Sequence, residues 1–568
     1  FALTSTYRLN GSGLTTPQFL VRYGADAWEA KDPGEESRTI PQSAITLRQD
    51  GSAAAEVWLV QGDSTVYTNG TLYRAQASII SAQMNAFNTI KATLNKPMDD
   101  PQAAAHAVTV SDDHGRAVDV STVKQDGRTL TITTGKDLEV TAAYTLTVTG
   151  YGSKPVALGA VVRSDAFDQR YAYDKDDLGA TYANEQTTFK LWAPTAVKVT
   201  LRTFDNTDPT AKVARTYAMT AGQKGVWTHT LPHLARSADD TKPQAYDYEL
   251  TFADGTTTTA ADPYATAAVA NGQRSVVLPT GETGDAGTRM APFGKATDAV
   301  IAETSIRDLT IDPSSGVDPA KRGKYLGVVQ EGTHTKAGDP TGLDYLRSLG
   351  ITHVQIMPAF DFASIDETKG LGYGEQYNWG YDPENYNVPE GSYSSDPMNP
   401  AARVREMKQM VSGLHQHKLR VIMDVVYNHV YDAASHAFNR TVPGYYFRYD
   451  DTGKLRSDSG CGNDVASERA MARRYIVHSV EYWAKNYNVD GFRFDLMGLL
   501  DRTTMNEVRA ALNKIDPSII VIGEGWDMTE ALGDESTIQP KADKVPGVAF
   551  FNDSLRDALR GSVFAKED

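Results

Sequence analysis

Three stretches decide the fold: Asp424-Val-Val-Tyr-Asn-His429, Gly491-Phe-Arg-Phe-Asp-Leu496 and Val521-Ile-Gly-Glu-Gly-Trp526. Each lies at the end of an apolar, β-branched run. The runs read as strands over Arg420–Val426, Gly491–Leu496 and Ile519–Gly523. Between them the period changes. Val404, Met407, Val411 and Leu414 recur at the spacing of one helix face. Glu468–Tyr487 and Thr504–Ile515 read as helices that lead into the next strands. Upstream, Val300–Ile306 and Thr352–Met357 are strand candidates with a helix over Gly342–Leu349, and Gly547–Asn552 is a sixth strand. Strand–helix alternation with buried strands predicts a parallel (β/α)8 TIM-type barrel over 295–568. In such a barrel the C-terminal strand ends share one face, where catalysis sits. Six strands do not close an eight-stranded barrel. The expectation is therefore an incomplete barrel, with the remainder on a second chain or the sequence a fragment.

The first half reads differently. Residues 1–165 are β-rich: Tyr144, Leu146 and Val148 alternate with threonines, as do Leu130 and Ile132, and Asp126-Gly127 is a hairpin signal. Two modules are expected, 1–75 and 76–165, divided near Ala75–Asn88, with Glu56-Val-Trp-Leu-Val60 closing the first. Residues 166–290 read as a further sandwich, entered by Phe189-Lys-Leu-Trp-Ala-Pro194. There Val197, Val199 and Leu201 alternate with Lys198, Thr200 and Arg202, and Glu282–Gly294 reads as a linker.

At 568 residues the chain exceeds a single core. Its charged (23%) and hydrophobic (40%) fractions are those of a globular protein. A net charge of −16 opposes nucleic acid and anionic membrane as partners, and a neutral polymer such as a glucan fits it. Solubility alone also accounts for the charge. No run has transmembrane length. Cys461 is the sole cysteine, so no intrachain disulfide forms and the compartment stays open. The chain begins Phe1-Ala-Leu, which reads as processed or cut.

Asp495 and Glu524, at neighbouring strand ends, are the carboxylate pair that glycoside hydrolysis uses. Arg493 shares the face of Asp495, where its guanidinium keeps a carboxylate ionised; a plain buried ion pair is the alternative. Gly523 and Gly525 leave room for a ligand beside Glu524, and Trp526 lowers the polarity there; a turn with a core tryptophan is the alternative. His429 reads either as a donor to a sugar hydroxyl or as a satisfied cap. Asp424 reads as an organiser of the neighbouring groups. Tyr377-Asn-Trp-Gly-Tyr-Asp-Pro383 is an aromatic loop suited to sugar C–H faces or to loop packing. Tyr445-Tyr-Phe447 reads as structural. No metal motif occurs; Asp396 and Asp450-Asp451 could bind calcium but fit solvated loops better.

These residues resemble the α-amylase superfamily, glycoside hydrolase family 13. Asp424–His429, Gly491–Asp495 and Gly523–Glu524 look like its first three signature regions, and Tyr377–Pro383 is similar to the signature of its type I pullulanases. Phe189–Pro194 resembles the start of a starch-binding sandwich, and Val57–Asp63 the last strand of a starch-binding module that would occupy 1–75. The resemblance covers residues from about 170 to 568. It implies a retaining hydrolase of α-1,6 links, with Asp495 as nucleophile and Glu524 as general acid/base. It implies Tyr381 stacked on the sugar, contacts from His429 and Arg493, and Trp526 on the leaving-group side. Asp382 and Asp553 would accept sugar hydroxyls, with Asp424 and Asn428 behind. The expected partners are pullulan, branched dextrins and starch, with calcium allowed and no cofactor required, at an extracellular location. An isoamylase or glycogen-debranching activity is the nearest alternative, and a non-catalytic glucan-binding fragment or a transglycosylase are the others. The family's His-Asp motif on a later strand, and its C-terminal sandwich, do not follow Glu524.

Overall fold

A computed structural model describes residues 2–8, 18–19, 21–22, 31–32, 38–47, 52–59, 65–68, 77–98, 104–183, 186–232, 244–370, 372 and 374–561. The chain forms two compact units, Phe1–Ser164 and Asp165–Asp568.

In the first unit, Ser52–Trp58 pairs antiparallel with Ala2–Arg8 and Ile45–Leu47. The expected closing strand is thus the middle one of three, and Val60–Asp63 lies outside the described residues. Ile79–Ala86 already belongs to the next module, which places the division before Ile79. That module is an antiparallel sandwich closed by one parallel pair, Gly152–Leu158 on Ile79–Ala86. Alternation does what its period requires: Leu130, Ile132 and Leu146 are fully buried. Val120–Asp126 and Thr129–Thr134 form the expected hairpin.

The second unit begins with a sandwich. Gln186–Trp192 faces Ala196–Phe204 and Ala245–Phe252 across a core of Phe189, Leu191, Val199, Leu201, Tyr246 and Tyr248. The alternation expected from Val197 fails at that residue. The register shifts between Ala196 and Lys198, and this bulge turns Val197 outward to 41% exposure. Inward packing resumes at Val199. The sandwich docks on the barrel: Thr258 Oγ1 donates to Arg440 O (2.7 Å) and Tyr445 OH donates to Asp168 Oδ1 (2.5 Å). Tyr445 and Tyr446 are buried against Trp192, as a structural reading of that cluster requires.

The segment 282–294 is a bound strap rather than a free linker. Arg289 Nη2 donates to Ala484 O and Val489 O, Phe293 N–H donates to Ser518 Oγ, and the Phe293 ring packs on His353. It thereby crosses the N-terminal end of the barrel, opposite the acids.

Six parallel strands follow: β1 Ile301–Thr304, β2 His353–Ile356, β3 Arg420–Val425, β4 Gly491–Phe494, β5 Ile520–Gly523 and β6 Ala549–Phe550, hydrogen-bonded in that order. Helices α1 Gly342–Ser348, α2 Pro400–Gln416, α3 Ala470–Asn486 and α4 Arg502–Ile515 join β1 to β5 in turn, 3-10 turns at Gly533–Glu535 and Gln539–Lys544 join β5 to β6, and α5 Asp553–Arg560 follows β6. Asn399 accepts from Ala401 N–H to cap α2, with Pro400 at its first position, and Val404, Met407, Val411 and Leu414 are buried. Among the described residues the barrel is partial, with β1 and β6 as its edges.

Candidate active site

Parallel register builds the site. Asp424 on β3 lies directly opposite Arg493 on β4, and Phe494 opposite Gly523 on β5. One step beyond each pairing come Asp495 and Glu524, so neighbouring strand ends present both acids on the C-terminal face. Arg493 Nη1 donates to Asp424 Oδ1 and to Asp495 Oδ1, each at 2.9 Å, and Nη2 lies 2.5 Å from Glu524 Oε1. A single guanidinium therefore holds three carboxylates. The rings of Tyr381 and Phe551 flank it, with centroids 5.8 and 5.6 Å from Cζ.

Each acid has a distinct set of partners. Asp495 Oδ2 accepts from Asn428 Nδ2 (2.9 Å), which also donates to the Asp495 carbonyl. Glu524 Oε2 accepts from the Leu496 N–H (2.9 Å). Burial pushes the Glu524 carboxyl above its ordinary pKa, with Arg493 and the Leu496 amide pulling the other way. Asp424 is fully buried. Burial raises its pKa to about 8 against the pull of Arg493, and it also accepts from Tyr381 OH at 2.7 Å. Asp424 and Glu524 are thus both biased toward their protonated forms, while Asp495 accepts hydrogen bonds from Asn428 and Arg493.

Several expectations are revised. The space beside Gly523 and Gly525 is filled by protein rather than left for a ligand: a Cβ at Gly523 would lie 2.8 Å from Phe494 O, and one at Gly525 would lie 2.3 Å from the Phe550 ring. His429 is 3% exposed, with Nδ1 at 2.6 Å from Asn428 Oδ1 and Nε2 at 2.8 Å from Tyr381 O. Both ring nitrogens are engaged, so His429 ties the aromatic loop to β3. Asp553 is engaged as well, accepting from Trp526 Nε1 (2.9 Å) and pairing with Arg556 (3.0 Å). Trp526 is half-buried. Asp382 Oδ2 accepts from Asn378, while its buried Oδ1 has no hydrogen-bond partner among the described residues.

Leu496 and Phe551 escaped the sequence reading. Leu496 takes a left-handed backbone (φ 42°), uncommon for a leucine, and this conformation accompanies the amide contact to Glu524. No sequence signal marks it. Phe551 lies within the expected sixth strand, but its ring contact with Arg493 is tertiary. Among the described residues, two groups of acids cluster closely enough for an ion: Asp112 and Asp113 with His114, and buried Asp361, Glu367 and Glu390. Arg403 already pairs with two of the latter. Asp396 and Asp450 accept from nearby backbone amides, as loop residues do.

Comparison with known proteins agrees with this geometry. Residues 75–152 match the family described as bacterial Ig-like domain, 177–265 carbohydrate-binding module 48 (isoamylase N-terminal domain), and 328–452 alpha amylase, catalytic domain. A pullulanase of Bacillus subtilis is 42% identical over 411 residues, 72% of this chain and 54% of that protein. Pullulanase A of Streptococcus pneumoniae is 34% identical over 69% of this chain and 32% of its own length. The chain spans about half or less of these curated relatives. A crystal structure of pullulanase complexed with maltotriose, from Anoxybacillus sp. LM18-11, superposes with a TM-score of 0.77 at 40% identity, covering 86% of this chain and 68% of that one. Modules, barrel and sequence agree: the chain belongs to the type I pullulanases of the α-amylase superfamily, glycoside hydrolase family 13.

Proposed function

We propose that the protein is a debranching enzyme that hydrolyses α-1,6-glucosidic links in pullulan, branched dextrins and starch with retention of configuration. The observation that carries this reading is the clamp in which Arg493 holds Asp495 and Glu524 side by side on adjacent strand ends. Glu524, its proton favoured by burial, protonates the departing glycosidic oxygen. Asp495, held by Arg493 and Asn428, attacks the anomeric carbon and forms the glycosyl–enzyme bond. Glu524, now a carboxylate, takes a proton from the water that breaks that bond.

Tyr381, anchored through Asp424, offers a ring to the sugar being cleaved. Trp526 flanks the leaving-group side, and His429 acts by holding the Tyr381 carbonyl. This chemistry uses two carboxylates and water and asks for no cofactor; calcium, if bound, serves stability. The pullulanase from Anoxybacillus was solved with maltotriose, which supports an α-glucan substrate here. A polymeric substrate fits an extracellular site of action. The matches that cover most of the chain are to pullulanases, whereas a rice isoamylase matches 36% of it, which favours pullulan over isoamylase substrates. Release of maltotriose from pullulan by the full-length polypeptide, abolished in Asp495→Asn and Glu524→Gln, tests the reading. Wild-type turnover by both variants refutes it.

A further inference from the structure

We propose that Asn271, on a turn of the sandwich, is a positioning residue for the Tyr381 loop. The inference rests on the reading that Tyr381 contacts the sugar. Asn271 (φ 64°) and Gly272 (φ 67°) both take the left-handed backbone, in a turn closed by Val269 N–H to Arg274 O (3.0 Å) and Gly272 N–H to Val269 O (3.1 Å). The tip of this turn inserts into the barrel's β2–β3 excursion. Asn271 N–H donates to Glu367 Oε2 and Glu367 N–H donates to Asn271 Oδ1, both at 2.8 Å. Asn385 Nδ2 donates to Gly272 O (3.0 Å), and a Cβ at Gly272 would lie 2.5 Å from Asp361 Oδ2. The fit therefore demands both the amide side chain and the glycine.

Glu367 is a firm anchor. It is buried, and its carboxylate accepts from Arg403 Nη2 (2.6 Å) and Gly391 N–H (2.9 Å). The residue before it carries the relay onward. Asp366 N–H donates to Gln376 Oε1 (2.7 Å), and Gln376 Nε2 donates back to Asp366 O (3.0 Å). Gln376 opens the segment that leads to Tyr381. The far end of that segment is fastened to the same stretch of chain: Ala363 N–H donates to Asp382 O and Asn378 Nδ2 to Ala363 O, both at 2.9 Å. Tyr381 is thus held between two ties to residues 363–367, and Asn271 fixes that stretch from the sandwich side. The sandwich is part of the scaffold that aims the ring at Asp424, whatever glucan it binds itself.

The test is a set of cycles in the full-length polypeptide on pullulan. Asn271→Ala and Gln376→Ala, which break the relay on its two sides, are each expected to lower kcat/KM by about tenfold or more. Gln273→Ala, exposed on the same turn, is expected to match wild type. In a Tyr381→Ala background the Asn271→Ala and Gln376→Ala losses are expected to shrink markedly, because they act chiefly through that ring. Full activity in both relay variants overturns the inference, as does a loss that adds undiminished in the Tyr381→Ala background. In either case the proposed function stands; pullulan hydrolysis by Asp495→Asn would instead overturn the function itself.

Discussion

Replacing Arg493 with leucine removes the cation shared by three acids. Arg493 is 8% exposed, and its partners Asp424, Asp495 and Glu524 are 0, 12 and 11% exposed. At such separations and an effective dielectric near 20, each contact supplies about 6 kcal/mol of attraction. Desolvation offsets most of it, and breaking a buried pair costs about 3–5 kcal/mol net because the remaining charge is left uncompensated. The cost depends on pH. Burial already holds Glu524 above its ordinary pKa and Asp424 at about 8, both above the unfolded values of about 4, and loss of the guanidinium raises both further. Across that window the folded variant holds protons that the unfolded chain has released, so its stability falls as pH rises. The deficit relative to wild type therefore opens as pH rises through the wild-type folded pKa values, the Asp424 part at about pH 8, and closes below them. Unfolding of the barrel, followed by tryptophan fluorescence across this range, reads it directly. A deficit independent of pH would refute the electrostatic account and leave Arg493 with a packing role.

Three further outcomes follow from the same geometry. Glu524→Gln should lower kcat by about 10²–10⁴-fold with little change in KM, and the wild-type rate should decline on the alkaline side at a pH above the ordinary glutamate pKa of about 4.3; steady-state pH profiles check both. Gly523→Ala forces a Cβ to within 2.8 Å of Phe494 O and Met497 Sδ. It should cost about 1–3 kcal/mol and lower kcat by displacing Glu524, read by unfolding and kinetics. In the sandwich, burial raises Asp262 to about 6 even though Tyr246 OH, Tyr248 OH and Tyr264 N–H donate to it. Its folded pKa exceeds the unfolded value, so stability should fall by about 3 kcal/mol as pH rises from about 4 to about 6, and Asp262→Asn should flatten that slope in pH-dependent melts.

The barrel was legible because its period changes are strong and its acids end β-branched runs, so strand order and the shared face of Asp495 and Glu524 could be read without coordinates. Asn428 was singled out only by the family resemblance; that its amide donates to Asp495 is a tertiary contact. What stayed hidden depends on contacts distant in sequence. Nothing local shows that the Leu496 amide meets Glu524, or that Phe551 covers Arg493. The glycines around Glu524 look like space for a ligand until Phe494, Met497 and Phe550 are seen to fill that space. Val197 misled because a bulge inverts the facing of one residue while the composition still alternates. The strap over 282–294 has a linker's composition, but the groups that bind it lie on the barrel.

The most direct measurement is mass spectrometry of a trapped glycosyl–enzyme, formed by the full-length polypeptide with a slowly deglycosylating fluorinated α-glucosyl substrate. The account predicts sugar on the peptide that contains Asp495 and none on the peptides that contain Asp424 or Glu524. Label on either of those acids, or release of an inverted sugar with no covalent species, would contradict it.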